Sequence, residues 1–377
     1  MKVLFYVPFI NRKSGGIFNY AQNVLKELTE LSSTQVIVYG SHDFISEIKL
    51  DNSKVQSFLY NENFYSRFIR YINHFLSFIY FHFKLRIKFQ DQLERILVKE
   101  KVDIIYSPYQ YFPFTQNKVS GFFTLHDIQE LIKPQNFSLR EKIIRNYNIK
   151  TSIRHSDKVL CSYHQIKLEI LKHLKLKEND VYVTGIPLRT HWITNQFRNI
   201  NQNKGRFILY PSGTWPHKNH INLIKAFNNL ALNEIKLVFT GPKTIHYKAL
   251  NDFIEKNEIK NIEFLGIVDD ETLYNLYKQA ELVIVPSIYE AGSFPLYEAI
   301  YTNTLALSSN IPALSEILQN TDQTFDPNSI RDIQNTVIKF LSDKKLKAQA
   351  IKNQERLKLH YFGNAFSNSL NQLINND

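Results

Sequence analysis

Apolar positions along the chain fall into short continuous runs rather than alternating ones. Residues 3–7, 36–39, 103–106, 121–125 and 158–162 are such runs in the first half. A strand covered on both faces needs side chains that are apolar at every position, so these runs predict buried parallel strands. Between them the period changes. After residues 3–7 comes a polar loop, Asn11-Arg-Lys-Ser-Gly-Gly16, and then Ile17, Tyr20, Ala21, Val24, Leu25 and Leu28 recur at helical spacing. Strand and helix in alternation predict a doubly wound α/β domain.

The pattern restarts near residue 205. Runs at 206–210, 236–240, 262–265, 282–286 and 305–308 predict a second set of strands, with a helix over about 221–232 and helical periodicity from Arg331 onward. The span 186–204 is polar and rich in Asn, which makes it the interdomain linker. Two domains are expected, 1–190 and 191–377, with the last helix able to pack back on the first. A chain of 377 residues also exceeds what one core usually holds.

Composition narrows the class. One cysteine, Cys161, excludes an internal disulfide framework and a cysteine-based zinc site. The net charge of +11 points to an anionic neighbour: nucleic acid, a membrane face or phosphate-bearing ligands. Residues 1–8 carry one basic residue and no cleavage site, and read as a first strand rather than a signal peptide. No apolar run reaches the roughly 18 residues of a membrane span. Residues 64–99 interleave aromatics with Arg67, Arg70, Lys84, Arg86, Lys88 and Arg95, a pattern that suits either an interfacial helix or a helix pair packed on the first domain.

Four segments carry candidate chemistry. Glu290-Ala-Gly-Ser-Phe-Pro-Leu-Tyr-Glu298 follows a strand and opens a helix, with Pro295 in its first turn. It places one carboxylate at the carboxyl edge of the sheet, another in the helix, and a helix N-terminus able to meet an anion between them. Pro211-Ser-Gly-Thr-Trp-Pro-His-Lys-Asn-His220 sets Lys218 in a strand-to-helix loop, where a basic side chain can reach a diphosphate. Gly15-Gly16 permits close backbone approach after the first strand, and the dinucleotide pattern G-x-G-x-x-G is absent. His126-Asp127 ends the strand 121–125, with Asp127 read as structural.

The stretch 282–327 resembles the donor-binding half of retaining glycosyltransferases of family 4, which have the GT-B fold of two Rossmann-like domains facing across a cleft. Their pattern of two Glu with seven residues between, a Pro three before the second and an Ala after it, is met by Glu290, Pro295, Glu298 and Ala299. Ser308-Ser309, Pro312, Glu316 and Phe325-Asp326-Pro327 resemble the family's continuation. Ala291-Gly292-Ser293-Phe294 stands where Gly-Phe-Gly-Leu is common. The resemblance implies that Glu290 holds the donor sugar and Glu298 the ribose, that His126 approaches the sugar, and that Glu290 and His126 are the catalytic pair. Gly15, Gly16, Ser212, Lys218, Gly292, Ser293 and Phe294 would complete the donor site. Many members carry a second basic residue where Thr214 lies here; His217 or Lys243 could supply that charge.

The implied reaction moves a sugar, with retention, from a nucleotide-sugar to a hydroxyl of a lipid-linked or surface-polysaccharide acceptor. No cofactor beyond the co-substrate is expected. Asp-x-Asp is absent, so no metal is expected either. The wording of the 211–220 loop resembles mannosyl- and rhamnosyltransferases, which suggests GDP-mannose. The expected location is cytoplasmic and peripheral on the inner face of a membrane, without nucleic acid as partner. A sugar-nucleotide epimerase of the same fold and an inactive sugar-nucleotide-binding subunit are the alternatives.

Overall fold

The computed structural model describes residues 1–11, 16–48, 54–60, 92–115, 119–188, 206–230, 234–362 and 365–375. Gly15 and most of the aromatic-basic stretch, residues 61–91, lie outside them, as does most of the expected linker. The chain divides into two compact units, Met1–Pro187 with Asn364–Asp377, and Leu188–Gly363.

The first unit is built on seven parallel strands: β1 (Lys2–Val7), β2 (Gln35–Gly40), β3 (Val55–Leu59), β4 (Ile104–Ser107), β5 (Ser120–Thr124), β6 (Lys158–Cys161) and β7 (Val181–Val183), in the order β3-β2-β1-β4-β5-β6-β7. The central strands are buried along nearly their whole length, which is why they appear in sequence as continuous apolar runs. Neither edge strand was expected. β3 is exposed or only partly buried throughout, and β7 has three residues, so neither offers an apolar run.

The helix Gly16–Glu30 buries Phe18, Tyr20, Ala21, Val24, Leu25 and Leu28, while Ile17 packs at the margin of the same core. The helix Ala365–Asn375 adds Phe366, Leu370, Leu373 and Ile374 to that core. The last helix therefore belongs to the first unit, although in sequence it follows the second.

The second unit holds β8 (Phe207–Pro211), β9 (Lys236–Thr240), β10 (Ile262–Gly266), β11 (Leu282–Val285), β12 (Ala306–Ser309) and β13 (Thr324–Phe325), all parallel, in the order β10-β9-β8-β11-β12-β13. In both sheets the strand order reverses once, between β1 and β4 and between β8 and β11. Loops leaving the carboxyl ends of strands at such a reversal diverge and open a crevice, where doubly wound sheets bind ligands. In the second unit these are the loops carrying Lys218 and Glu290.

Candidate functional site

After β8 the chain runs through Ser212–Gly213 into a 3-10 turn, Pro216–Lys218, and reaches Asn219 in the left-handed region at φ 58°. Asn tolerates that conformation better than most residues. Its buried side chain donates to the carbonyls of Pro286 at 2.9 Å and Pro327 at 2.8 Å, which ties three loops together. A further bond, Ile288 N–H to the His217 carbonyl at 2.9 Å, joins the β8 and β11 loops directly.

This framework brings Lys218 and Glu290 into contact. Lys218 Nζ donates to Glu290 Oε1 at 2.6 Å, and Ser287 Oγ donates to the same oxygen at 2.7 Å. Both charges are largely withdrawn from water, with side-chain exposures of 19% for Lys218 and 7% for Glu290. Tyr210 OH donates to the Lys218 carbonyl at 3.0 Å and lies 3.2 Å from Ser287 Oγ. Burial, and then the charge of Glu290, push the Tyr210 phenol far above its ordinary range, so it stays neutral.

Glu298 is held separately. Tyr277 OH donates to Glu298 Oε2 at 2.6 Å from a fully buried ring. Burial first, then the Glu298 charge, raise the Tyr277 phenol well above its usual value. Tyr277 lies on the helix Asp270–Gln279, 21 residues before its partner, and no sequence signal links the two.

Between the two carboxylates the backbone turns at Gly292, whose φ of 152° favours glycine, into the helix Phe294–Tyr301. Ser293 sits at the N-cap but makes no capping bond. Among the described residues its buried hydroxyl has no hydrogen-bond partner, and Pro295 contributes no N–H. The first turn of this helix is therefore an N-terminus without a side-chain cap, beside an unused buried hydroxyl.

The loop after β9 braces the β8 loop. Gly241 adopts φ 111°, and a Cβ there would come within 2.8 Å of the Ser212 backbone and 2.9 Å of that of Gly213. Thr214 Oγ1 accepts from Thr244 N–H at 2.8 Å, and Thr244 Oγ1 donates to the Thr214 carbonyl at 2.9 Å. Thr214 thus serves as a tie between loops. Of the two candidates for a second positive charge, Lys243 lies over the Tyr247 ring at 4.7 Å, whereas His217 is in the turn beside Lys218.

Next to Lys218, His220 opens the following helix with its ring packed on Tyr210 and Phe239. Among the described residues neither ring nitrogen has a partner in hydrogen-bond geometry, although the Ser212 backbone is near enough to favour the charged form. Burial, with the charge of Lys218, pushes the imidazole down to about 3. An unfolded His takes up its proton near pH ~6.5. Between those values the unfolded chain binds the extra proton, so stability should fall as pH drops from about 6.5 towards 3, by at most about 1.4 kcal/mol per unit. His220→Leu should remove this component and leave stability at neutral pH equal or higher, because an unpaired buried polar group is lost. Urea midpoints measured across that pH window test it; an unchanged slope would refute the assignment.

In the first unit, His126 leaves β5 and donates from Nε2 to the Pro108 carbonyl at 3.0 Å, while its ring meets Tyr20 edge-on at 4.7 Å. Burial lowers its pKa, which favours the neutral imidazole. Asp127 accepts from Arg145 at 2.9 Å and from Gln110 at 3.1 Å, and Arg145 also donates to the buried Glu130 at 2.9 Å. Asp127 is therefore a scaffold for the His126 loop. Gly16 begins the helix that carries Tyr20 to His126.

The structure thus gathers Ser212, Lys218, Glu290, Gly292, Ser293, Phe294 and Glu298 on two loops and a helix of the second unit, and His126 and Gly16 in the first. Sequence reasoning did not anticipate Ser287, Tyr210, Tyr277 or Asn219, which position them.

Two parallel Rossmann-like sheets with this loop architecture define the GT-B fold. Solved structures agree: Anabaena HepE in complex with UDP and glucose superposes with a TM-score of 0.72 at 15% identity, covering 100% of both chains. Residues 193–357 match the family model for glycosyl transferases group 1. That match lies within the second unit and spans under half of the chain. Relatives include the O-antigen chain mannosyltransferase RfbU of Salmonella typhimurium, 23% identical over 252 residues; the match spans 64% of this chain and 66% of RfbU, just under two thirds. An uncharacterized glycosyltransferase of Methanocaldococcus jannaschii is 23% identical over 92% of this chain and 90% of its own.

Proposed function

We propose that this chain transfers a sugar, with retention of configuration, from a nucleotide-sugar to a hydroxyl of a lipid-linked or surface-polysaccharide acceptor. The observation that carries the proposal is the Lys218–Glu290 pair at the β8/β11 reversal. In the structure each charge satisfies the other. A donor would divide them, its diphosphate taking Lys218 and its sugar hydroxyls taking Glu290. The leaving diphosphate gains negative charge in the transition state, and Lys218 with the uncapped helix at Phe294 supplies positive potential where that charge grows. His126 would meet the sugar as a neutral group, and Glu298, steadied by Tyr277, would hold the ribose.

A carboxylate against the anomeric carbon is the requirement for double displacement. Glu290 is already committed to Lys218 and Ser287, which suits it to holding hydroxyls rather than to nucleophilic attack. Mannose, carried as GDP-mannose, is the donor in this reading, and the relative RfbU is a mannosyltransferase by name. The O-antigen chain in that name supports a polysaccharide acceptor, and the location in this reading is peripheral on the inner face of a membrane.

A panel of nucleotide-sugars tests this by thermal protection, since a ligand bound only by the folded chain raises its melting temperature. GDP-mannose should protect most. Transfer to a glycan acceptor should yield an anomer of the donor's configuration by NMR and persist in a metal chelator. Protection by no nucleotide-sugar, or an inverted product, would overturn the proposal.

A further inference from the structure

The helix Leu139–His155 is inside out. Its start is fixed by a capping box, in which Ser138 Oγ accepts from Glu141 N–H at 3.3 Å and Glu141 Oε2 accepts from Ser138 N–H at 2.8 Å. The side turned to the protein is largely polar: Thr151 and Ser152 are buried with Ile149, Ser152 Oγ accepts from Phe112 N–H at 2.8 Å, and Arg145 spans Asp127 and Glu130. The large apolar side chains point the other way. Leu139 is 71% exposed, Ile143 61%, Ile144 47% and Tyr147 44%.

Leu139, Ile143 and Tyr147 recur every four residues, which stacks them on one face. Arg140, Lys150 and Arg154 are exposed on the same side, and Lys142 is half-buried. Glu141, the helix's one acidic residue, is engaged in the capping box. Exposed apolar residues usually occur singly, and a row of them ringed by one sign of charge marks a contact surface.

We infer that this face docks on an anionic lipid bilayer, with the helix lying in the plane of the interface. The charge pattern selects that occupant. Apolar side chains between arginines and lysines enter the acyl boundary while the cations meet anionic headgroups. A second copy would bring the same cations against themselves. The inference rests on the peripheral location put forward above and deepens it by naming the surface that makes the contact.

Co-sedimentation of the full chain with vesicles tests it. The wild type should bind phosphatidylcholine vesicles containing phosphatidylglycerol, bind those of phosphatidylcholine alone far less, and release with salt. The pair Leu139→Ser and Ile143→Ser should lower partitioning at least about tenfold. Arg140→Glu with Lys150→Glu should lower it similarly, and both pairs should retain thermal unfolding and transfer to a water-soluble acceptor. If the wild type binds and the variants bind equally well, this helix is not the contact, although the peripheral location stands. If the wild type ignores anionic vesicles, both fall. Self-association abolished by the serine pair, without vesicle binding, would reassign the face to a second copy and overturn the inference.

Discussion

Glu290→Gln should reduce sugar transfer by about a thousandfold while leaving the nucleoside diphosphate bound as tightly as before, or more tightly. A carboxylate accepting from two sugar hydroxyls makes charge-assisted bonds of about 1.5–3 kcal/mol each, which together amount to roughly two to four orders of magnitude in rate. The expected split follows from the observed pairing. Lys218 pairs its charge with Glu290 at 2.6 Å. Neutralising Glu290 releases that cation for the diphosphate, so the defect should fall on kcat rather than on nucleotide affinity. Gln keeps the volume and can still accept from Ser287, so the loop should stay folded. Calorimetric titration of the nucleoside diphosphate alongside steady-state transfer separates the two effects. Unchanged transfer would remove Glu290 from the reaction, and a collapse of nucleotide binding would give it a different role.

Lys218→Met should act in the opposite sense. Loss of a charged contact to the diphosphate should weaken nucleoside diphosphate binding by about 2–3 kcal/mol, or roughly 30- to 150-fold, and leave binding of the nucleoside unaltered. The substitution also strands the Glu290 carboxylate, which is 7% exposed and keeps only its Ser287 hydrogen bond among those described. A buried carboxylate deprived of its cation is costly, so the variant should unfold at lower temperature. Lys218→Arg should retain most of the affinity. Equal losses for nucleoside and nucleoside diphosphate would show that Lys218 shapes the loop without meeting phosphate.

Thr214 stands where the family resemblance implies a second basic residue. Thr214 is occupied in bracing the β8 loop against Thr244, and Lys243 lies over Tyr247. His217 stands in the same turn as Lys218, and the helix start at Ser293–Phe294 has no side-chain cap.

Much of the fold was legible in sequence because burial on both faces writes itself as a continuous apolar run. β1, β4, β5, β8 and β11 are recognisable for that reason. The strands that escaped, β3, β7 and β13, are short edges whose side chains are only partly covered or too few to show a period. The helix Leu139–His155 was legible as neither core nor surface, since its apolar residues face outward and its buried face is partly hydroxyls and a salt-bridged arginine.

At the candidate site, sequence by itself determined which residues could do chemistry: Glu290 and Glu298 around a helix start, Lys218 in a strand-to-helix loop, and His126 at a strand end. Those are local facts, carried by residue type, spacing and the turn residues Gly292 and Pro295. Only the tertiary structure decided that Lys218 and Glu290 touch, that Tyr277 holds Glu298, that Asn219 ties three loops, and that the last helix completes the first unit. The physical reason is distance along the chain. Lys218 and Glu290 are 72 residues apart, and they meet because the strand order reverses between β8 and β11, a choice of topology that no local period encodes.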